Sequence, residues 1–221
     1  YRGLLGREAD AGGLGHWSNV LNTGALPAAG VVEAFVDSAE FQTFVRPLVA
    51  LYLTVLGRAP DRGGLQHWID QFRGGMTLPQ LAQAFAGSGE AIGLHGDVLG
   101  GLTNEQFVDW LYQTVLGRPA EAGGRQHWLN VLGANPDRSA LLATFIGSGE
   151  AVGRLRNQVV TAVLYLTVLK RAADAGGMAH WAAYLAAGNA VAQLAELFLY
   201  SDEYVQNYLG ALTEGALRRA M

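Results

Sequence analysis

Four times along this 221-residue chain a histidine stands immediately before a tryptophan: His16-Trp17, His67-Trp68, His127-Trp128 and His180-Trp181. Upstream of each pair lie an arginine, an acid and two adjacent glycines. The arginines and acids are Arg7 and Asp10, Arg58 and Asp61, Arg118 and Glu121, and Arg171 and Asp174. An aromatic platform flanked by polar groups suits a sugar ring. An arginine beside backbone N–H groups at a helix start suits an anion. Arg7, Asp10, His16, Arg58, Asp61, His67, Arg118, Glu121, His127, Arg171, Asp174 and His180 are therefore the candidate ligand-binding residues, and a surface glycan or another protein is the expected partner.

Each candidate also has a packing reading. Trp68 shares an apolar helical stripe with Leu65, Ile69 and Phe72, so it belongs to a core face. His67 is rotated about 100° from it and is expected at the stripe's edge, bonded to a loop carbonyl or carboxylate. Asp61 is placed to cap a helix through its carboxylate. Arg58 is then expected to pair with Asp61 or Glu90, and the glycines to permit close helix approach.

Catalytic and metal chemistry fit less well. Ser88 lies in Gly87-Ser88-Gly89-Glu90, which is not a nucleophile elbow. No enzymatic activity and no cofactor are expected. Calcium is the one metal to weigh, and it wants six to eight oxygens where each copy offers one or two regularly spaced acids. The absence of cysteine removes disulfides, thiolate sites and a thiol nucleophile.

The elements that position these residues are read from the second copy. Leu51, Tyr52, Val55 and Leu56 form a helical stripe that should end near Gly57-Arg58. Pro60 supports that stop. A second helix follows Asp61 and ends at Gly74-Gly75. Thr77 should cap a third helix whose face is Leu78, Leu81, Ala82 and Phe85. Ser88 should cap a fourth, with Glu90 favourably placed against its dipole.

The frame recurs. Tyr1, Tyr52, Tyr112 and Tyr165 each precede their tryptophan by sixteen residues. Phe35, Phe85, Phe145 and Phe198 correspond, as do Ser38, Ser88, Ser148 and Ser201, and Glu40, Glu90, Glu150 and Glu203. An all-α tandem array of four short-helix units is expected. The boundaries fall at 1–46 for the first repeat, cut at its N-terminal side, then 47–101 with a glycine-rich linker, 102–158 and 159–221. The longest spacer, 91–111, reads as a flexible joint or an internal boundary. The chain starts inside a repeat, which reads as a fragment or a processed product.

Half of the residues are hydrophobic and 15% are charged, enough apolar material for a core. A net charge of −4 gives no reason to expect nucleic acid. The most apolar runs, 47–57 and 159–169, are too short to span a membrane and read as core helices. Arg154 and Arg156, and Arg218 and Arg219, read as solvated charged faces.

The pattern Tyr-x4-Gly-Arg-x2-Asp-x-Gly-Gly-x3-Trp, then Phe-x2-Ser-x-Glu, resembles the bacterial family DUF4214. In the second copy it is carried by Tyr52, Gly57, Arg58, Asp61, Gly63, Gly64, Trp68, Phe85, Ser88 and Glu90. Glu121, Arg125 and Lys170 depart from it. A more distant similarity is to phycobilisome linker domains. The resemblance implies an α-helical module without catalysis, found in large secreted or surface-layer bacterial proteins, some with RTX calcium repeats. Those repeats are not present in this stretch. It implies a secreted or cell-surface location and a spacer, assembly or adhesion role, with a lectin-like role through the arginine-aspartate-glycine loops as the alternative.

Overall fold

A computed structural model describes residues 1–206. The described residues are helices and connecting turns, with no strand among them. Unit 1 holds α1 (Arg2–Leu5), α2 (Ala11–Asn22) and α3 (Ala28–Val36). Unit 2 holds α4 (Arg46–Val55), α5 (Arg62–Arg73), α6 (Leu78–Ala86) and α7 (Gly89–His95). Unit 3 holds α8 (Asn104–Leu111), α9 (Ala122–Ala134) and α10 (Arg138–Gly147). α11 (Gly149–Leu164) runs from the end of unit 3 into unit 4, which also holds α12 (Ala175–Ala186), α13 (Val191–Leu199) and α14 (Asp202–Tyr204). Residues 207–221, including Arg218 and Arg219, lie outside the described set.

Caps set the helix starts. Asp61 Oδ1 accepts from the Gly64 N–H at 2.8 Å, and Thr77 with Gln80 forms a reciprocal capping box before α6. π-helical turns at Phe41–Val45, Tyr112–Leu116 and Tyr165–Leu169 each add a residue to a first helix. In unit 2 the signature tyrosine, Tyr52, sits on α4 itself, so such a turn there is no requirement of the motif.

The two apolar runs become central elements. Leu48 to Leu51 and Val55 of α4 are completely buried, and α4 packs on α11. Burial on all sides replaces the single stripe expected there. The array closes on itself. Helix α6 of unit 2 packs on α10 of unit 3, and α13 of unit 4 packs on α3 of unit 1. Units 1–2 and units 3–4 are thus two similar halves around α4 and α11, each supplying third helices to the other.

One expectation fails here. The 91–111 spacer is tied down. The Arg138 guanidinium donates to the carbonyls of Val98, Leu99 and Leu102 at 3.2, 3.1 and 2.6 Å, and Val98 is buried. Arg154 and Arg156 are exposed, as expected, and also make specific contacts. Arg154 donates to the Val115 carbonyl at 3.0 Å, and Arg156 meets Asp37 at 3.1 Å, joining α11 to unit 1.

Candidate functional site

The signature folds into the same polar clasp in every unit. A tyrosine ring forms its floor, buried in units 2 to 4 and half-buried in unit 1. Over Tyr1, Tyr52, Tyr112 and Tyr165 lie the guanidinium groups of Arg7, Arg58, Arg118 and Arg171, at 4.9, 5.1, 5.0 and 4.8 Å from the ring centroids. Each arginine reaches forward to the glutamate that follows the signature serine. Arg58 Nε and Nη2 donate to the two oxygens of Glu90 at 2.5 and 3.1 Å. Arg118 does the same to Glu150 at 2.5 and 2.9 Å, Arg171 to Glu203 at 2.6 and 3.0 Å, and Arg7 to Glu40 at 2.5 and 2.8 Å. This fork geometry ties the end of a first helix to the start of the next one, some thirty-two residues on. The arginine contact holds the carboxyls of Glu40, Glu90, Glu150 and Glu203 below the ordinary glutamate range.

The third arginine nitrogen turns to the acid of the loop. Arg7 meets Asp10 at 3.3 Å, Arg58 meets Asp61 at 3.7 Å, and Arg171 meets Asp174 at 3.3 Å; Arg118 pairs with Glu121. The aspartates also cap. Asp10, Asp61 and Asp174 accept from the N–H of Gly13, Gly64 and Gly177 at 2.7 to 2.8 Å. That backbone bond is the main reason the carboxyls of Asp10 and Asp174 lie below their usual range. Glu121 is one methylene longer and gives α9 no side-chain cap.

The second glycine of each pair has a steric reason. A Cβ on Gly13, Gly64, Gly124 or Gly177 would overlap the hydroxyl of Tyr1, Tyr52, Tyr112 or Tyr165. The first glycine faces open space or its own capping acid. Burial raises the pKa of Tyr52, Tyr112 and Tyr165. The serines are occupied as well. Ser88 Oγ donates to the Phe85 carbonyl at 2.7 Å and accepts from the Ala91 N–H at 3.2 Å. Ser38, Ser148 and Ser201 repeat this.

A recurring unit of this kind is what the family comparison matches. The model described as Domain of unknown function (DUF4214) fits four times, at residues 1–45, 47–95, 97–155 and 153–208. The chain belongs to the DUF4214 family. No curated protein and no solved structure matches it, so the distant likeness to phycobilisome linkers gains no support from either.

In this DUF4214 array the tryptophans and histidines depart from expectation. Trp17, Trp68, Trp128 and Trp181 are half-buried, not core. Each packs against the signature phenylalanine, tilted in units 1 to 3 and edge-on in unit 4, with centroids 5.0, 5.0, 5.2 and 5.3 Å apart, and stays partly exposed. The phenylalanines themselves are buried. A large ring on a short surface helix has too little neighbouring chain to cover both faces. His16, His67, His127 and His180 are exposed, and among the described residues the expected loop carbonyl or carboxylate is not bonded to them. Each instead stands edge-on to its tryptophan at 4.6 to 5.0 Å.

In unit 3 the clasp borders a cleft of about 440 Å³ lined by Tyr112, Arg118, Glu121, Trp128, Phe145 and Glu150, among others. Among the described residues no group of three or more His, Asp or Glu is arranged to hold a metal ion, and no helix is long and apolar enough to cross a membrane.

Residues outside the signature join unit 1 to unit 2. Gln66 Nε2 donates to the Gly6 carbonyl at 2.7 Å, and Arg73 donates to Leu5 O at 3.2 Å and to Glu40 at 2.6 Å. With Ile69 they lie at i, i+3 and i+7 on one face of α5. That spacing was legible; the surface it faces was not.

Proposed function

We propose that this chain is a non-catalytic structural and interaction module of a secreted or cell-surface bacterial protein, serving as a rigid spacer or assembly segment. The observation that supports it best is the clasp. The arginine, acid, serine and glutamate of the signature have their partners inside their own unit, so the repeated polar residues are satisfied without a ligand. The location rests on the family resemblance alone.

A second reading, a lectin-like module, is favoured by one feature: the unit 3 cleft places half-exposed Trp128 beside Arg118, Glu121 and Glu150. Arg58→Ala, Arg118→Ala and His67→Ala, measured for melting temperature and on a glycan array, separate the two. On the module reading the two arginine variants melt earlier, His67→Ala stays within about 0.5 kcal/mol of wild type, and the arrays are blank. Glycan binding that Arg118→Ala abolishes in a protein of unchanged stability would replace it with the lectin reading.

A further inference from the structure

Helix α2 stands apart from the other second helices. Counted from the signature tryptophan, its Leu14, Ser18 and Leu21 correspond to Leu65, Ile69 and Phe72 of α5, to Arg125, Leu129 and Leu132 of α9, and to Met178, Ala182 and Leu185 of α12. Every one of these counterparts is buried or half-buried. In unit 1 all three are exposed, Leu14 at 59% and Leu21 at 46%, and α2 holds no buried residue. The covering element in the other units is the part of the first helix ahead of the signature tyrosine. The π-turn before α4 packs on α5, with the Phe44 ring 5.3 Å from Phe72. Helix α8 packs on α9, where Arg125 pairs with Asp109, and α11 packs on α12. In unit 1 the first helix, α1, starts at Arg2, after the signature tyrosine, and leaves the α2 face open.

What these positions receive in three units is thus a helix laid alongside. Helix α2 is itself fit for that part. Leu14, Ser18 and Leu21 fall at i, i+4 and i+7, and no Asp, Glu, Lys or Arg occurs from residue 11 to residue 32. Gly15 beside them has open space where a Cβ would stand, so a second backbone can approach closely. On a chain of net charge −4, this uncharged face lets two copies meet without like-charge repulsion.

We infer that α2 is a self-association surface, and that its occupant is the α2 of a second copy, antiparallel across a two-fold axis. Each α2 then does for its mate what α8 does for α9, taking Leu14 and Leu21 out of water. The antiparallel arrangement also sets the two helix dipoles in opposition. The inference rests on the assembly reading and deepens it by naming the partner. A monomer would remove that partner and leave the melting and glycan-array comparison of the clasp variants as it stands.

The test is sedimentation velocity on the full chain from about 1 to about 200 μM, beside Leu14→Asp, Leu21→Asp and Leu94→Asp. Wild type should pass from one copy to two and no further, because a two-fold contact closes on itself. Leu14→Asp or Leu21→Asp sets like charges across the axis and should raise the dissociation constant about tenfold or more. Both sites are exposed, so melting at the lowest concentration should match wild type. Leu94→Asp, at an exposed leucine of α7, should dimerise as wild type does. The chain has no cysteine, so Ser18→Cys supplies a lone thiol, which should cross-link two copies on mild oxidation faster than Leu94→Cys does. A single-copy mass throughout, growth beyond two copies, or a dimer indifferent to Leu14→Asp and Leu21→Asp overturns the inference. So does a chain that pairs only once residues 207–221 are deleted, which would give the face to those residues.

Discussion

Helix α5 meets unit 1 through Gln66, Ile69 and Arg73, whereas α12 carries Ala179, Ala182 and Ala186 at the corresponding positions. The two helices follow the same aspartate cap and contain the same His-Trp pair. Yet α5 is locked to α1, with Ile69 against Gly6 and Gln66 and Arg73 on its last carbonyls. The α12 side instead borders an open groove of about 380 Å³, formed with Leu53, Gly57 to Ala59 of unit 2 and Gln158. Leu53, which lines this groove, corresponds to Leu166, which lines the narrow slot beside α1 and α5. The repeated residues build the unit, and the residues that differ between copies decide how units meet.

The strongest way to break this contrast is Ile69→Ala. Ile69 is 3% exposed, so its loss should cost about 2–4 kcal/mol in chemical denaturation. If α1 is not held by this face, the cost will match that of an exposed position.

Glu40→Gln comes next. Glu40 is shared by Arg7 of its own unit and Arg73 of α5, with a side chain 25% exposed, whereas Glu203 has Arg171. Removing the Glu40 charge should cost about 1–2 kcal/mol, and Glu203→Gln about 0.5 kcal/mol. The pH dependence sharpens the comparison. Arg7 chiefly, then Arg73, depress the Glu40 pKa, so its stabilisation is present above the ordinary glutamate value of about 4.3. It is lost as pH falls through the lower folded value. The melting difference between wild type and Glu40→Gln should therefore shrink in that acid window.

The smallest effect concerns the turn before each clasp, where Lys170 takes the left-handed backbone, at φ 59°, that Gly6, Gly57 and Gly117 take in the other units. Lys170→Gly should stabilise unit 4 by about 1 kcal/mol, and Gly57→Lys should destabilise unit 2 by a similar amount. Equal melting of all three proteins would show that the left-handed position is not strained.

Much of the unit was legible from residue types. Asp61, Thr77 and Ser88 cap the helices where spacing put them, and Arg58 takes both Asp61 and Glu90, the two partners between which the sequence left the choice open. These are local rules, acting over three or four residues or within one repeat. Burial was less legible. The helical stripe places Trp68 on the inner face, but it cannot say that too little chain lies above the ring to bury it.

The sequence by itself determined the four-fold helical unit, its caps and its charge clasp, because helix periodicity and capping are short-range and repeat with the motif. Only the tertiary structure decided that the array closes, with α3 on α13 and α6 on α10. It alone brought Leu166 of unit 4 to the narrow slot between α1 and α5. The physical reason is that contacts between units depend on the shapes of whole faces, set by residues such as Gln66, Ile69 and Ala182 that carry no repeat signal.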